Sequence, residues 1–329
     1  MYLLINGSDE EDAAMKNITT PARSARRRIS SAKLGGFFSK TILFILLLGF
    51  SYVVLYPFIA KLSASLMPRE DLYDPTVALI PRHPGFSNYK NIISMETFWP
   101  SLKNSMLYAL ITAVCATVCS ALVGYGLARF RFRGSKLLFV LVVCTLLIPS
   151  QTISIPLFSY FKSFDIFGII QAATGQAGLT NTIWPLIFLG LTGLSFRGGI
   201  FIILMRQYYQ NIPTELVEAA YVDGAGQLRT FGRIILPMAK SMLIVVLVLS
   251  FAWQYTDTFY SNNLLGGVDL LPKMVLSLAN SHMSSSQSYY YDIVQANTAL
   301  ILTILPLLVL YIIFQRQIIS GIERSGLVE

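Results

Sequence analysis

Residues 41–60 form a run without one charged side chain, closed at either end by Lys40 and Lys61. At about 1.5 Å of rise per residue, a helix of that length crosses the roughly 30 Å hydrocarbon core of a bilayer. Five more apolar runs follow, at about 104–128, 137–158, 182–205, 241–255 and 296–314. The chain is therefore expected to be an all-α integral membrane protein with six transmembrane helices. Composition agrees: 54% of residues are hydrophobic and 13% are charged, about half the charge of an average soluble domain.

Other features narrow the class. Cys115, Cys119 and Cys144 are odd in number and lie within apolar runs, where a thiol behaves as a small hydrophobe. His83 and His282 are far apart, both in predicted loops, and no Cys/His metal spacing occurs. The net charge of +8 does not point to nucleic acid, because the basic residues cluster beside apolar runs.

Residues 1–40 are polar, with an acidic run from Ser8 to Asp12 and a basic one at Arg26-Arg27-Arg28. They read as a solvated, largely disordered tail. They do not read as a cleaved leader, because the apolar run that follows is too long and no small-residue cleavage site follows it. Lysine and arginine set the orientation. With the N-terminus in the cytoplasm, the inner segments hold seventeen of them and the outer loops seven, leaving Arg197 within the fourth span. Both termini are then cytoplasmic. The expected organisation is a largely disordered cytoplasmic tail over 1–40 with a lead-in to the first helix, a six-helix domain over 41–314 and a cytoplasmic C-terminal tail over 315–329. The outer loops 61–103 and 256–295 are long and hold Pro, Tyr, Ser and Asn. That length predicts that something outside the membrane docks there.

The inner loop at about 206–240 is more polar and more structured than a connection requires. Pro213 suits a first helical turn, and Glu215 and Glu218 suit the positive end of the helix dipole. Leu216, Ala219 and Ala220 follow i, i+3, i+4 spacing, a small face that lets another backbone come close. Asp223 precedes Gly224, which suits the left-handed residue that ends a helix. Gly226 adds freedom to turn, and a second helix is expected from near Gln227 to Pro237. The product is a helix–turn–helix on the cytoplasmic face, shaped to enter a groove on a partner.

Glu218-Ala219-Ala220, Gly224, Ile234 and Leu236-Pro237 stand at the spacing of the EAA motif, and the chain resembles the bacterial ABC-importer permeases that carry it. Flanking residues resemble the carbohydrate-uptake subfamily and its six-span maltose-type permease subunit. They include Asn104-Ser105, the stretch from Tyr125 to Gly134, Pro149, Ile155-Pro156-Leu157, Asn181-Thr182, the run Leu204–Tyr209, Ile212-Pro213, Phe314-Gln315-Arg316 and Gly321. The likeness covers about residues 40–329. It implies a type I importer permease fold in the bacterial plasma membrane. It also implies a second, related permease, two cytoplasmic ATPase subunits that dock on Glu215–Pro237, and an extracytoplasmic solute-binding protein. The cargo would be an oligosaccharide. No cofactor would be bound by this chain, and ATP and magnesium would sit on the ATPases. Consistent with that division, no G-x-x-x-x-G-K-[ST] occurs, and Gly134-Ser135-Lys136 is not the end of one. A tail from Gln315 onwards would touch the ATPases as in the maltose relative, or fray.

The resemblance also frames the path. Arg197 is a charge inside a span, which costs at least about 2.5 kcal/mol on insertion scales and so faces a cavity or a partner. Two readings stand. It binds sugar hydroxyls or a uronate carboxylate, or it sits solvated or paired with the other permease at a break near Gly198-Gly199. Trp253, Tyr255 and Asp257 are further path candidates, although Ala252–Asp257 departs from the family's Trp-Asn-Asp pattern. Tyr160, Phe161, Trp184 and Tyr260 suit sugar stacking or, as readily, the membrane interface. Ser284-Ser285-Ser286 and Tyr289-Tyr290-Tyr291 would meet solvent or the binding protein. Rival readings are an ABC permease for a non-sugar solute and a secondary transporter. The latter wants internal repeats and intramembrane carboxylates, and the six runs hold no Asp or Glu.

Overall fold

The computed structural model describes residues 22–165, 168, 171–172, 175, 178–280 and 289–326, with backbone alone at 22–38, 150, 289–291 and 322–326. All regular elements among the described residues are helices, without strands. The principal helices are α1 (Ala22–Ser65), α2 (Phe98–Arg129), α3 (Ser135–Leu147), α4 (Ser150–Lys162), α5 (Trp184–Leu191) and α6 (Gly198–Gln210). After them come α7 (Thr214–Val222), α8 (Lys240–Tyr255), α9 (Phe259–Leu264), α10 (Leu271–Asn280) and α11 (Tyr289–Gly326).

The chain divides into two units, residues 1–60 and 61–329. In the first, the apolar side chains of α1 are exposed from Ile42 to Ile59, as suits a helix solvated by lipid. The helix already includes Ala22, in the segment expected to hold the lead-in to the first helix. Its lead-in is rich in Ala and Arg, both good helix formers, and the apolar run gives it a continuous helix to extend.

The second unit is built around α2, and its sequence explains why. Ser101, Ser105, Ala109, Ala113, Ala116, Ser120 and Gly124 recur at helical spacing and are all buried, while Leu107, Leu110, Val114, Val118 and Leu122 face outward and are exposed. In lipid, apolarity does not drive helix association, and small residues allow the close packing that does. Helices α5, α6, α8 and α10 pack on α2. The approach is tight: a Cβ at Gly190 of α5 would lie 2.8 Å from the Cys115 Cβ. Hydroxyls on these surfaces return to their own helix, as in Ser120 Oγ–H to the Ala116 carbonyl (2.6 Å) and Thr298 Oγ1–H to Val294 (2.7 Å). Ser250 Oγ on α8 and Arg129 Nε on α2 are buried without a partner among the described residues.

Helix α11 packs on α8 and α10. Its C-terminal part is seated on α8, where a Cβ at Gly321 would lie 2.6 Å from Val245 Cγ2. The expected tail from Gln315 is thus helical through Gly326, because Gly321 and Ile318 still have a helix to pack against.

Three described helices are long and apolar enough to cross a membrane unbroken, at Ser39–Ser65, Phe98–Arg129 and Asp292–Gly321. Of the other expected spans, the third and fourth are interrupted and the fifth is the single helix α8. The third bends sharply at Ile148-Pro149, between α3 and α4. The fifth, α8, meets the preceding helical segment Gln227–Met238 at 75°. The fourth is not one helix: α5 and α6 are separated at 192–197, where Gly193 and Arg197 have φ of +73° and +58°. Irregular backbone at membrane depth is tolerated where it lines a cavity, and this one does.

The described parts of the two long loops expected to lie outside are folded. Asn88 is buried, and its Nδ2 donates to the Ser65 and Met67 carbonyls while its Oδ1 accepts from Gln295 Nε2 at 3.0 Å. Lys61 Nζ donates to Asn297 Oδ1 at 2.9 Å. The His83 backbone N–H holds the Asp71 carboxyl below its ordinary range. His282 and Ser284-Ser285-Ser286 lie outside the described residues, and Tyr289–Tyr291 enter α11 as backbone.

Candidate functional site

The 215–237 loop is built as a Schellman-capped helix followed by a bent segment. Pro213 opens α7 at φ −54° and ψ 135°. Gly224 closes it at φ +79°. The Ala225 N–H reaches the Ala220 carbonyl (2.9 Å), and the Gly224 N–H reaches Tyr221 (3.0 Å), the two bonds of that motif. The chain then runs through Gln227–Thr230, a π-helical turn at Phe231–Ile235, and Leu236–Met238 with Pro237 inside.

One side of this loop is pinned. Val217, Phe231 and Ile235 pack into the same cluster as Tyr125, Tyr208 and Tyr209. The Phe231 ring lies 4.7 Å from Tyr125 and 6.4 Å from Tyr209 between centroids, and Tyr125 and Tyr209 meet edge-on at 5.6 Å. Tyr208 Oη donates to the Met238 carbonyl at 2.9 Å. The Arg129 guanidinium donates to the Ile212 carbonyl. The other side is bare: Val222 and Leu228 are each 88% exposed, with Tyr221 and Leu216 also open. Glu215, Glu218, Ala219, Asp223, Gly224 and Pro237 are exposed as well, and Ile234 and Leu236 are half-buried.

One detail of the expected face changes. Leu216 and Ala219 point outward while Ala220 is buried. The inward pair is Val217 and Ala220, because the aromatic cluster takes the larger Val217. The outward surface is thus carboxylates interleaved with apolar tips. Val222 and Leu228 were readable as hydrophobes stranded in a polar segment. The clamp of Tyr125, Tyr209 and Phe231 was not, since it joins residues far apart in sequence. Phe231→Ala is expected to loosen the loop by about 2 kcal/mol, under the roughly 3–5 kcal/mol of a fully buried ring. Limited proteolysis in detergent should show faster cleavage between α7 and α8 than in the wild type.

The second feature is a cavity of about 920 Å³ beside the break in the fourth span, bounded by α3, α4, α6 and α9. Arg197 lines it at the N-terminal edge of α6, as do Ser195, Tyr160, Gln151 and Tyr260. The Arg197 guanidinium lies 5.0 Å from the Trp253 ring centroid and 5.5 Å from that of Phe196. Its left-handed backbone costs a non-glycine residue about 1–2 kcal/mol. Gly198 and Gly199 admit the turn, since side chains there would strike the Gly193 carbonyl at 2.4 Å and Thr145 Oγ1 at 2.6 Å.

The four path candidates do not converge. Trp253 stands against Arg197, but Tyr255 and Asp257 lie on a separate recess of about 20 Å³. Just beyond α8, the Asp257 carboxylate accepts N–H groups from Phe259 (3.1 Å) and Ser261 (3.0 Å) and so caps α9. Burial pushes its carboxyl up to about 6, against the opposing pull of those backbone donors. Ser195, absent from the sequence candidates, lines the cavity with its Oγ unpartnered. No group of three metal-ligating side chains occurs among the described residues.

Comparison with known proteins agrees with these features. Residues 113–324 match the family described as binding-protein-dependent transport system inner membrane component. The galactooligosaccharides transport system permease protein GanQ of Bacillus subtilis is 29% identical over 86% of this chain and 93% of its own. The diacetylchitobiose uptake system permease protein NgcG of Streptomyces coelicolor is 26% identical over 97% of both chains. A crystal structure of a bacterial ABC transporter involved in import of the acidic polysaccharide alginate shares the fold. Its TM-score is 0.66 at 21% identity, over 87% of this chain and 97% of that one. The family match takes in α3 to α11, most of α2, the pinned loop and the cavity, and this multi-pass chain belongs to the inner-membrane components of binding-protein-dependent transport systems.

Proposed function

We propose that this chain is one of two permease subunits of an ABC importer for an oligosaccharide. It contributes half of the translocation path and takes its motion from a cytoplasmic ATPase through the loop Glu215–Pro237. Sugar-importing relatives support the cargo. The observation that carries the coupling role is the two-sided loop. Its inner side is locked to α2 and α6 by rings and hydrogen bonds, and its outer side leaves Val222 and Leu228 uncovered. Exposed apolar tips rimmed by polar groups mark an interaction surface.

The mechanism is a coupling free energy between sites. Closure of the ATPases on ATP displaces α7. The clamp passes the displacement to α2 and α6, and α6 carries Arg197 and the cavity wall at its far end. In this reading six spans cross the membrane with both termini cytoplasmic, and a solute-binding protein docks on the folded outer loops. ATP and magnesium belong to the partner ATPases.

Gentle purification of tagged protein from its native membranes, with mass spectrometry of what accompanies it, tests the assignment. A Walker-type ATPase and a second permease with its own coupling loop are expected. Recovery of this chain alone, as monomer or self-dimer, would remove the proposed partner.

A further inference from the structure

The cavity beside the fourth-span break carries a charge pattern that general sugar transport does not require. Arg197 is the single charged side chain on its lining, which holds no carboxylate. No ion pair to Arg197 occurs among the described residues. The Trp253 and Phe196 rings stand beside the guanidinium, and no hydrogen bond from it to another described residue occurs, which leaves N–H donors for a ligand. Behind it, α6 begins without a side-chain cap and without an acidic residue in its first turn. The Gly198 and Ile200 N–H groups bond to the Ser195 and Arg197 carbonyls (2.7 and 3.1 Å), which leaves the Gly199 N–H and the positive end of the dipole at this helix start. Independently, Ser195 is only 5% exposed, yet its Oγ has no hydrogen-bond partner. It lies at the same place, 3.0 Å from where a Cβ on Gly198 would stand. A buried hydroxyl left unpaired is uncommon, because its desolvation is uncompensated.

These donors all favour one kind of ligand. We infer that Arg197, Ser195 and the first turn of α6 form a carboxylate-binding subsite in this cavity, and that its ligand is an acidic sugar residue, a uronate, of the translocated oligosaccharide. A planar carboxylate matches the guanidinium fork. Tyr160, exposed on the same lining, supplies a ring for the sugar body. The cavity volume falls within the roughly 300–1,000 Å³ of small-ligand sites, enough for a short stretch of saccharide. Helix α6 has 13 residues, or about 20 Å at 1.5 Å each. The subsite therefore lies about two thirds of the way across the membrane from the 215–237 loop, where passing cargo is sorted by charge. The inference rests on the oligosaccharide reading and adds the charge class to it.

The test compares trigalacturonate with its methyl ester, and both with maltotriose. Each is radiolabelled and dialysed to equilibrium against the purified importer, with the subunits that accompany this chain, in nanodiscs. The acid is expected to bind at least about tenfold more tightly than the ester, the usual gain from a charge-assisted pair. Arg197→Gln should bring acid and ester within about twofold. Arg197→Lys should keep part of the preference, and Ser195→Ala should lower it by a few-fold. Equal binding of acid and ester by wild-type protein overturns the inference, whether or not the variants fold. So does a preference that survives Arg197→Gln. If the wild type shows no preference and Arg197→Gln sheds the second permease, the guanidinium serves the partner and the subsite is rejected. In each of these cases, binding of maltotriose leaves the oligosaccharide reading standing. An intact complex that binds none of the three fails that reading as well.

Discussion

Gly224→Asp is expected to lower uptake at least about a hundredfold while the protein still inserts in the membrane at its normal level. The residue sits at φ +79° at the end of α7, where an L-residue costs about 1–2 kcal/mol. A Cβ there meets nothing within 4 Å, so the fold has no clash to resolve and the cost stays local. What changes is the outer surface. A new carboxylate stands beside Asp223 on the side of the loop that carries Val222 and Leu228, and burying an unpaired charge in an interface costs several kcal/mol. Gly224→Asn separates the two contributions. It shares the backbone strain, is among the residues that best tolerate the left-handed region, and adds no charge. Its uptake should fall far less. Uptake of labelled substrate by whole cells, with immunoblots of the membrane fraction, reads both variants. Normal uptake by the aspartate variant would rule out a coupling role for the loop.

Gly124→Leu is expected to destabilise the permease domain itself. A Cβ at Gly124 would lie 2.8 Å from the Met205 Cβ and 3.0 Å from the Arg206 backbone nitrogen. Backbone cannot rotate away as a side chain can, so α2 and α6 would have to separate along the seam that carries the clamp. Overpacking of this kind typically costs 1–3 kcal/mol, and contact with backbone puts this site at about the upper end. Gly126, two positions on, has nothing within 4 Å of its would-be Cβ. Gly126→Ala should therefore be neutral, or slightly stabilising through helix propensity. Thermal unfolding followed by size-exclusion chromatography in detergent compares them. Equal melting of both variants would contradict the close α2–α6 contact.

The fold was legible where the physics is one-dimensional. The uncharged run 41–60 declares itself through length. Pro149 marked the bend between α3 and α4 because proline removes a donor wherever it stands. The interruption at 192–197 was half legible, since a break near Gly198-Gly199 was one of the two readings of Arg197. Averaged over 182–205, the fourth run is apolar, and the break is set by the cavity and by close packing at Gly198 and Gly199. A lead-in to the first helix was expected but not where it begins, and polar composition alone does not reveal that α11 runs on to Gly326.

At the site, Pro213, Gly224 and the acidic first turn of α7 had local signatures, and the capped helix lies where they place it. Spacing grouped Leu216, Ala219 and Ala220, but it cannot say which side turns inward. Tertiary contact with Tyr125 and Tyr209 decided that, in favour of Val217. Asp257 looked available for a solute because carboxylates near a span end are conspicuous. Its hydrogen bonds to the start of α9 show a structural use.

The central claim is that Val222 and Leu228 face an ATPase. The most direct measurement places a single cysteine at either position, with Cys115, Cys119 and Cys144 replaced by alanine or serine. A short thiol-reactive crosslinker is then applied to native membranes. The product is expected to contain a Walker-type ATPase identified by mass spectrometry, and its yield should change when ATP is added. Ready labelling from outside intact cells by a membrane-impermeant thiol reagent, with no ATPase crosslinked, would contradict the account.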